Sequence, residues 1–150
     1  MHTVDELDIK ILNLLQENAK ISRSQIAEIV SMSVPSVSER LHKLEEKGII
    51  KGYFTRLNRK YFNYDIMAFI VIISDSSKYY DKLISNCDKH PNILECHAIL
   101  GEGSHVLKAI VKNTEALEKL LMEIQSWPGV LSTRSSLVLS TTKETEKILL

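Results

Sequence analysis

The sequence predicts an α+β protein made of an N-terminal winged helix-turn-helix with three helices and a C-terminal ferredoxin-like βαββαβ sandwich. Two observations predict this class. Apolar residues recur at helical spacing up to about residue 47, and two β-α-β patterns follow one another from Tyr64 onward. We expect a helix-turn-helix domain over 1–52, a linker strand and loop over 53–63, the sandwich over 64–140 and a tail over 141–150.

Three helices are expected before Gly48, and each opens with a residue that can cap it. Those residues are Asp5, followed by Asp8; Ser22, followed by Gln25; and Ser33, followed by Pro35. The apolar residues that we expect to be buried recur three or four positions apart: Ile11, Leu12 and Leu15, then Ile26, Ile29 and Val30, then Val37, Leu41 and Leu44. After Gly48, the short β-branched run Ile49–Tyr53 predicts a small strand or wing.

Hydrogen-bond donors are spaced along one side of the third predicted helix, the side that we expect to lie opposite its apolar stripe. A row of donors on a helix fits the major groove of duplex DNA. The sequence therefore predicts a DNA-binding set at Ser33, Ser36, Arg40, Lys43 and Lys47. For Arg40, the alternative is a surface ion pair with Glu39 or Glu45.

The charges favour a nucleic-acid partner only weakly. The formal net charge is zero, but residues 1–60 hold ten basic against eight acidic side chains, whereas residues 61–150 hold nine against eleven. Phosphate neutralisation dominates affinity for duplex DNA, so a monomer this weakly charged should bind feebly. We therefore expect a homo-oligomer that brings several copies to the DNA.

The C-terminal pattern predicts four strands and two helices in the order βαββαβ. The predicted strands are Ile66–Ile73, Ile93–Leu100, His105–Val111 and Val130–Leu139, and the predicted helices are Lys78–Lys89 and Thr114–Ser126. Both helices should cover one face of the sheet. Ile70, Ile72 and their neighbours cannot all point at the helices, so we expect face-to-face dimerisation to cover the other face.

Several classes of function find no support in the sequence. Cys87 and Cys96 lack metal-ligand spacing and are expected to be reduced core residues, and neither His97 nor His105 has a partner at ligand spacing. We expect no metal, no cofactor and no catalytic site. No signal peptide opens the chain, and its apolar runs are too short for a bilayer, so we expect a cytoplasmic protein without membrane contact.

The chain resembles the Lrp/AsnC family of prokaryotic transcription regulators over nearly its whole length. The matching N-terminal residues are Asp5-x-x-Asp8-x-x-Ile11-Leu12, Ile26-Ala27 and Ser33-x-x-Ser36-Val37-x-x-Arg40-Leu41-x-x-Leu44-Glu45-x-x-Gly48-Ile49-Ile50-x-Gly52-Tyr53. The C-terminal matches are Gly101, Pro128-Gly129-Val130 and Ser136-x-Val138-Leu139. The resemblance implies a nucleoid-associated, double-stranded-DNA-binding dimer that assembles into tetramers or octamers and often binds amino acids.

Two departures from the family pattern qualify what the resemblance implies. The turn between the second and third helices usually carries Gly, and this chain has Ser31-Met32, which is strained if that position is left-handed. The loop expected to bind an effector, Gly101-Glu102-Gly103-Ser104-His105, has Ser104 where the family commonly has Asp. A hydroxyl cannot receive an amino group by charge, so the effector differs or is absent. A plain hairpin turn also accounts for both glycines.

The leading hypothesis is a sequence-specific transcription regulator that acts as a dimer or higher oligomer and is modulated by an amino acid or similar small molecule. The alternative is a small-molecule-sensing oligomer with weak or non-specific DNA binding. The neutral charge and the Ser31-Met32 turn favour the alternative.

Overall fold

The computed structural model describes residues 4–150, which form two compact units. The N-terminal unit holds the described residues up to Arg56 together with Lys143–Leu150, and the C-terminal unit is Leu57–Thr142. The N-terminal unit contains three helices: α1 (Glu6–Glu17), α2 (Arg23–Val30) and α3 (Val34–Glu46). The three-helix arrangement expected from the apolar periodicity is confirmed.

The predicted caps form as expected. Asp5 accepts from the backbone N–H of Asp8, and the Asp8 carboxylate accepts from the backbone N–H of Asp5 in return. Ser22 and Gln25 make the same reciprocal pair at the start of α2. The Ser33 hydroxyl accepts from the backbone N–H of Ser36, which fixes the first turn of α3.

The core of the N-terminal unit lies between the three helices. Its buried members are Ile11, Ile26, Ala27, Val30, Val37 and Leu41. Ile29, which the sequence placed in this stripe, is exposed, and Ala27 is buried instead. At roughly 100° per residue, Ile26, Ala27 and Val30 point to one side of α2, and Ile29 lies more than a quarter-turn from their mean direction.

The backbone of the turn between α2 and α3 is strained, as expected if a residue other than glycine occupies a left-handed position. Ser31 has φ 54° and ψ 46°, which is left-handed helical geometry. Any side chain there costs on the order of 1 kcal/mol relative to glycine. The backbone N–H groups of Ser31 and Met32 close the turn, because both donate to carbonyls near the end of α2.

The small strand predicted for Ile49–Tyr53 does not form in the described chain. Gly48 ends α3 with φ 67°, and the N–H groups of Ile49 and Ile50 then both donate to the carbonyl of Leu44, at 3.0 and 3.1 Å. These bonds fold the chain back against the helix end instead of extending it. The linker likewise forms a 3₁₀ turn, Arg59–Phe62, and no strand within 53–63.

The C-terminal unit is the predicted βαββαβ sandwich. Its strands are β1 (Ile66–Ser74), β2 (Ile93–Ala98), β3 (His105–Val111) and β4 (Val130–Leu137), and its helices are α4 (Tyr80–Lys89) and α5 (Thr114–Gln125). The sheet is antiparallel in the order β2-β3-β1-β4. Asn113 caps α5, and a 3₁₀ turn, Ser77–Tyr79, precedes α4.

The two faces of the sheet differ in cover. Ile70 and Ile72 lie on the helix side and are fully buried, so they are not among the residues left uncovered. Strand alternation places Phe69, Val71 and Ile73 on the opposite side. Phe69 there is 42% exposed. We refer to this side of the sheet, centred on Phe69, as the open face.

The C-terminal tail packs on the N-terminal unit. The Gln16 side chain bonds both the N–H and the C=O of Ile148, at 2.8 and 3.1 Å. Arg56 donates to the backbone carbonyl of Glu144 at 2.7 Å and pairs with its carboxylate. The tail is thereby joined to α1 without helix or strand of its own.

Candidate nucleic-acid interface

The predicted DNA-binding side chains of α3 line a cleft beside the N-terminus of α1. The cleft has a volume of about 270 Å³, and its walls include Val4, Asp5, Asp8, Ser36, Arg40, Lys43 and Lys47. The structure therefore brings four of the five predicted residues together. Ser33 lies at the start of α3, where its hydroxyl is 2.8 Å from that of Ser36 and is used as the cap.

Arg40 joins α3 to α1. Its Nη1 donates to Asp5 Oδ2 and to Asp8 Oδ1, both at 2.7 Å. The pair is partly buried, because the Arg40 side chain is 25% exposed and the Asp8 side chain only 4%. The ion-pair alternative for Arg40 is thus seen in the structure, with carboxylates of α1 in place of Glu39 or Glu45.

The sequence did not single out Asp8 beyond its capping role. The carboxylate serves the cap of its own helix with Oδ2 and the arginine of α3 with Oδ1. The backbone N–H of Asp8, followed by the Arg40 guanidinium, lowers the pKa of Asp5 below its ordinary value. Only the folded chain places these groups together, since 32 residues separate Asp8 from Arg40.

The predicted side of α3 is a flank of the helix and does not lie opposite its buried stripe. At roughly 100° per residue, Ser36, Arg40 and Lys47 lie about a quarter-turn from the mean direction of Val37, Leu41 and Leu44. The residues directly opposite that stripe are Glu39, His42 and Glu46, with Lys43 next to them. We call these four residues the outward face.

Exposure agrees with this assignment. The outward face is well exposed, at 67% for Glu39, 68% for His42 and 48% for Lys43, in contrast to Arg40. Lys43 pairs with Glu39 at 2.6 Å, and the His42 imidazole lies 3.2 Å from the Glu46 carboxylate, in each case across four residues of the helix. The outward face therefore presents hydrogen-bond donors and acceptors that hold one another in place and are accessible to a partner.

The predicted effector loop joins β2 to β3 and is held by contacts with β1 and β4. The Ser104 N–H donates to the carbonyl of Ile72 at 2.8 Å, and its hydroxyl donates to the same carbonyl at 3.3 Å. Gly103 has φ 107°, and a Cβ there would lie 2.9 Å from that carbonyl. Glu102 pairs with Arg134 of β4, while Gly101 is exposed.

His105 does not share the exposure of the loop. The imidazole is 2% exposed on the helix side of the sheet, with the Tyr80 ring edge-on at 4.8 Å between centroids. Burial lowers the pKa of His105 below its ordinary value, so the neutral ring is favoured. Its Nδ1 lies 3.1 Å from the Ser104 hydroxyl, which links the buried ring to the loop.

The remaining candidate groups lie in the core of the C-terminal unit or form no cluster. Cys87 and Cys96 are free thiols, and burial raises the pKa of Cys87 to about 12. Within residues 4–150, no three His, Cys, Asp or Glu side chains are grouped to hold a metal ion. The helices of the same residues are too short or too polar to cross a membrane.

Two family models match the chain, one for each part of the molecule. Residues 4–51 match the model described as winged helix-turn-helix DNA-binding, and residues 67–148 match the Lrp/AsnC ligand binding domain. The second match covers more than half of the chain. It spans the sandwich and most of the tail.

Similar proteins agree with these models over almost their full length. The HTH-type transcriptional regulator FL11 of Pyrococcus horikoshii is 34% identical over 145 residues, which cover 97% of this chain and 95% of that protein. The leucine-responsive regulatory protein of Escherichia coli is 30% identical over 150 residues, covering 98% and 92%. A solved transcriptional regulator of Neisseria meningitidis in complex with L-methionine superimposes with a TM-score of 0.91 at 30% identity, covering 98% of this chain and 97% of the other. The chain therefore belongs to the Lrp/AsnC family of transcription regulators.

Proposed function

We propose that this regulator binds a specific duplex DNA sequence by placing α3 of two paired N-terminal units in successive turns of the major groove. The observation that supports this most directly is the outward face of α3. It lies opposite a fully buried stripe, is well exposed and carries charged groups in fixed positions. Such a face on the second helix of a helix-turn-helix is what groove recognition requires.

The five predicted residues have different roles in this proposal. Lys43 and Lys47 bind DNA phosphates, and Ser33 and Ser36 contact the sugar-phosphate backbone of the DNA from the start of α3. Arg40 acts mainly as a positioning residue, because its Nη1 is bonded to Asp5 and Asp8. It retains N–H groups on Nη2 and Nε that can reach a phosphate at the rim of the cleft.

The two N-terminal units of a dimer, which we call the readers, are proposed to be paired through the open face of the C-terminal sheet. The central strand β1 presents Phe69, Val71 and Ile73 there without cover from either helix. A two-fold pair would bury these apolar side chains against their copies. Two readers in one dimer imply a pseudopalindromic site with half-sites about 34–36 Å apart, or a multiple of that spacing.

An amino acid is the proposed class of effector. The sandwich matches a ligand binding domain model, and the neisserial relative was solved with L-methionine. The loop Gly101–His105 is the proposed contact, with Glu102 as the charged group and Gly101 allowing close approach.

We further propose assembly of dimers into tetramers or octamers, cytoplasmic action on the nucleoid, and no catalytic activity. The domain limits 1–52 and 64–140 are proposed as the reader and effector parts.

A second candidate function is that of a small-molecule-sensing oligomer with weak or non-specific DNA binding. Two of the four outward residues of α3, Glu39 and Glu46, are acidic and repel phosphate. The chain as a whole also has no net positive charge. A protein of this kind would contact DNA without selecting a sequence.

Selection of binding sites from a random duplex pool, with and without a mixture of the twenty amino acids, tests the proposed function. The full-length protein is expected to enrich a pseudopalindromic motif, and the amino acids are expected to change the yield or the spacing. Retention of DNA without any enriched motif would favour the second candidate. Identical pools with and without amino acids would contradict the effector class.

A further inference from the structure

Glu39 occupies the position on α3 where a base-reading side chain is expected. It is the sixth residue of the helix, on the outward face, and its side chain is 67% exposed. Residues in the N-terminal part of a recognition helix are those that contact base edges. The sequence suggests Glu39 only as a partner for Arg40, but the structure pairs it with Lys43 at 2.6 Å.

A carboxylate at this position is selective in what it can bind in the groove. Phosphates repel it, and among the base edges of the major groove its best partner is the N4 amino group of cytosine. The hydrogen bond from Lys43 lowers the pKa of Glu39, so the group is an acceptor with no proton of its own. Lys43 also offsets the repulsion between Glu39 and nearby phosphates.

We propose that Glu39 is a specificity-determining residue that accepts a hydrogen bond from the N4 amino group of a cytosine in each half-site. On approach to DNA, Lys43 turns from Glu39 to a phosphate, so the ion pair of the free protein becomes a base contact and a backbone contact. This inference rests on the proposed DNA-binding function. It adds which base is read and by which side chain.

The test compares Glu39→Gln with the unchanged protein in selection from a random duplex pool, followed by titration of single-base variants of the enriched site. We expect cytosine at one position of each half-site for the unchanged protein. Glutamine donates and accepts in the pattern that adenine offers, so Glu39→Gln should shift the preference at that position toward adenine. The preference of the unchanged protein for cytosine over adenine at that position should fall by roughly 5- to 150-fold in Glu39→Gln. Glu39→Ala should lose the cytosine preference and gain none.

Glu115→Gln is the matched control. Glu115 also pairs with a lysine four residues away on an exposed helix surface, Lys119 at 2.7 Å, but it lies on α5 of the C-terminal unit. It should leave the enriched motif unchanged. If the unchanged protein enriches a motif and Glu39→Gln enriches the same motif with the same base preference, the inference is overturned and the proposed function is left intact. A uniform change of affinity across all sequences would overturn it too. No motif from the unchanged protein would contradict the proposed function itself.

Discussion

Phe69→Asp is expected to convert the protein to a monomer and to lower its affinity for its selected DNA site by roughly 100-fold or more. Phe69 lies at the centre of the open face, with Lys108 of β3 and Ser136 of β4 beside it in register. In the proposed dimer an aspartate there would be buried opposite its own copy, while the neighbouring Lys108 is already paired with Glu95 at 2.9 Å. Burying two like charges in this way costs several kcal/mol. Loss of pairing removes the second reader, which contributes by raising the effective concentration at the DNA.

Sedimentation velocity and fluorescence anisotropy with a duplex of the selected site measure the two effects. Met122→Asp is the matched control, because Met122 is also an exposed apolar residue but lies on α5 and outside the open face. It should leave both measurements unchanged. A Phe69→Asp protein that sediments as a dimer would show that the readers are paired by another surface.

Asp8→Ala is expected to destabilise the N-terminal unit by about 2 kcal/mol. The substitution removes the carboxylate that pairs with Arg40 and also the acceptor that serves the Asp5 backbone N–H. Removing one partner of a fully buried ion pair typically costs about 3–5 kcal/mol. The loss should be smaller here, because Arg40 is partly exposed and can turn to solvent.

Hydrogen exchange of the α1 and α3 amides in the full-length protein reports this change without mixing it with unfolding of the sandwich. A loss of about 2 kcal/mol corresponds to roughly 30-fold faster exchange where it occurs by opening of the unit. Glu28→Ala, an exposed carboxylate on α2, is the control and should change exchange by less than about 2-fold. Unchanged protection in Asp8→Ala would mean that the contacts of Arg40 do not hold α3 to α1.

Much of the fold could be predicted because its determinants are local in the sequence. The caps Asp5, Ser22 and Ser33 act on backbone groups three residues away, and the strand and helix periods are visible in short windows. The strain at Ser31 could be anticipated for the same reason, since it depends on the residue type at one position of a turn. The chain reversal after Gly48 could not, because a β-branched run suits a strand only if a neighbouring strand pairs with it.

The candidate site was less predictable, because it depends on how the helices pack. Residue spacing places Ser36, Arg40 and Lys47 in one row at a quarter-turn from the buried stripe, but it does not show that α1 lies beside that row. The acceptors for Arg40 come from α1, more than thirty positions away. The same limit applies to His105, whose burial against Tyr80 depends on the packing of α4 over the sheet.

If the exposed side of α3 is the surface that meets DNA, the salt dependence of binding to the selected site should change when a charge on that side is removed. Lys43 and Lys119 form similar exposed lysine-glutamate pairs, one on α3 and one on α5. A phosphate contact contributes about one to the slope of log affinity against log salt concentration. The proposed dimer makes this contact once in each half-site, so Lys43→Ala should reduce the magnitude of that slope by about two, while Lys119→Ala leaves it unchanged. Equal slopes for the unchanged protein and Lys43→Ala would show that DNA does not bind to this side of α3.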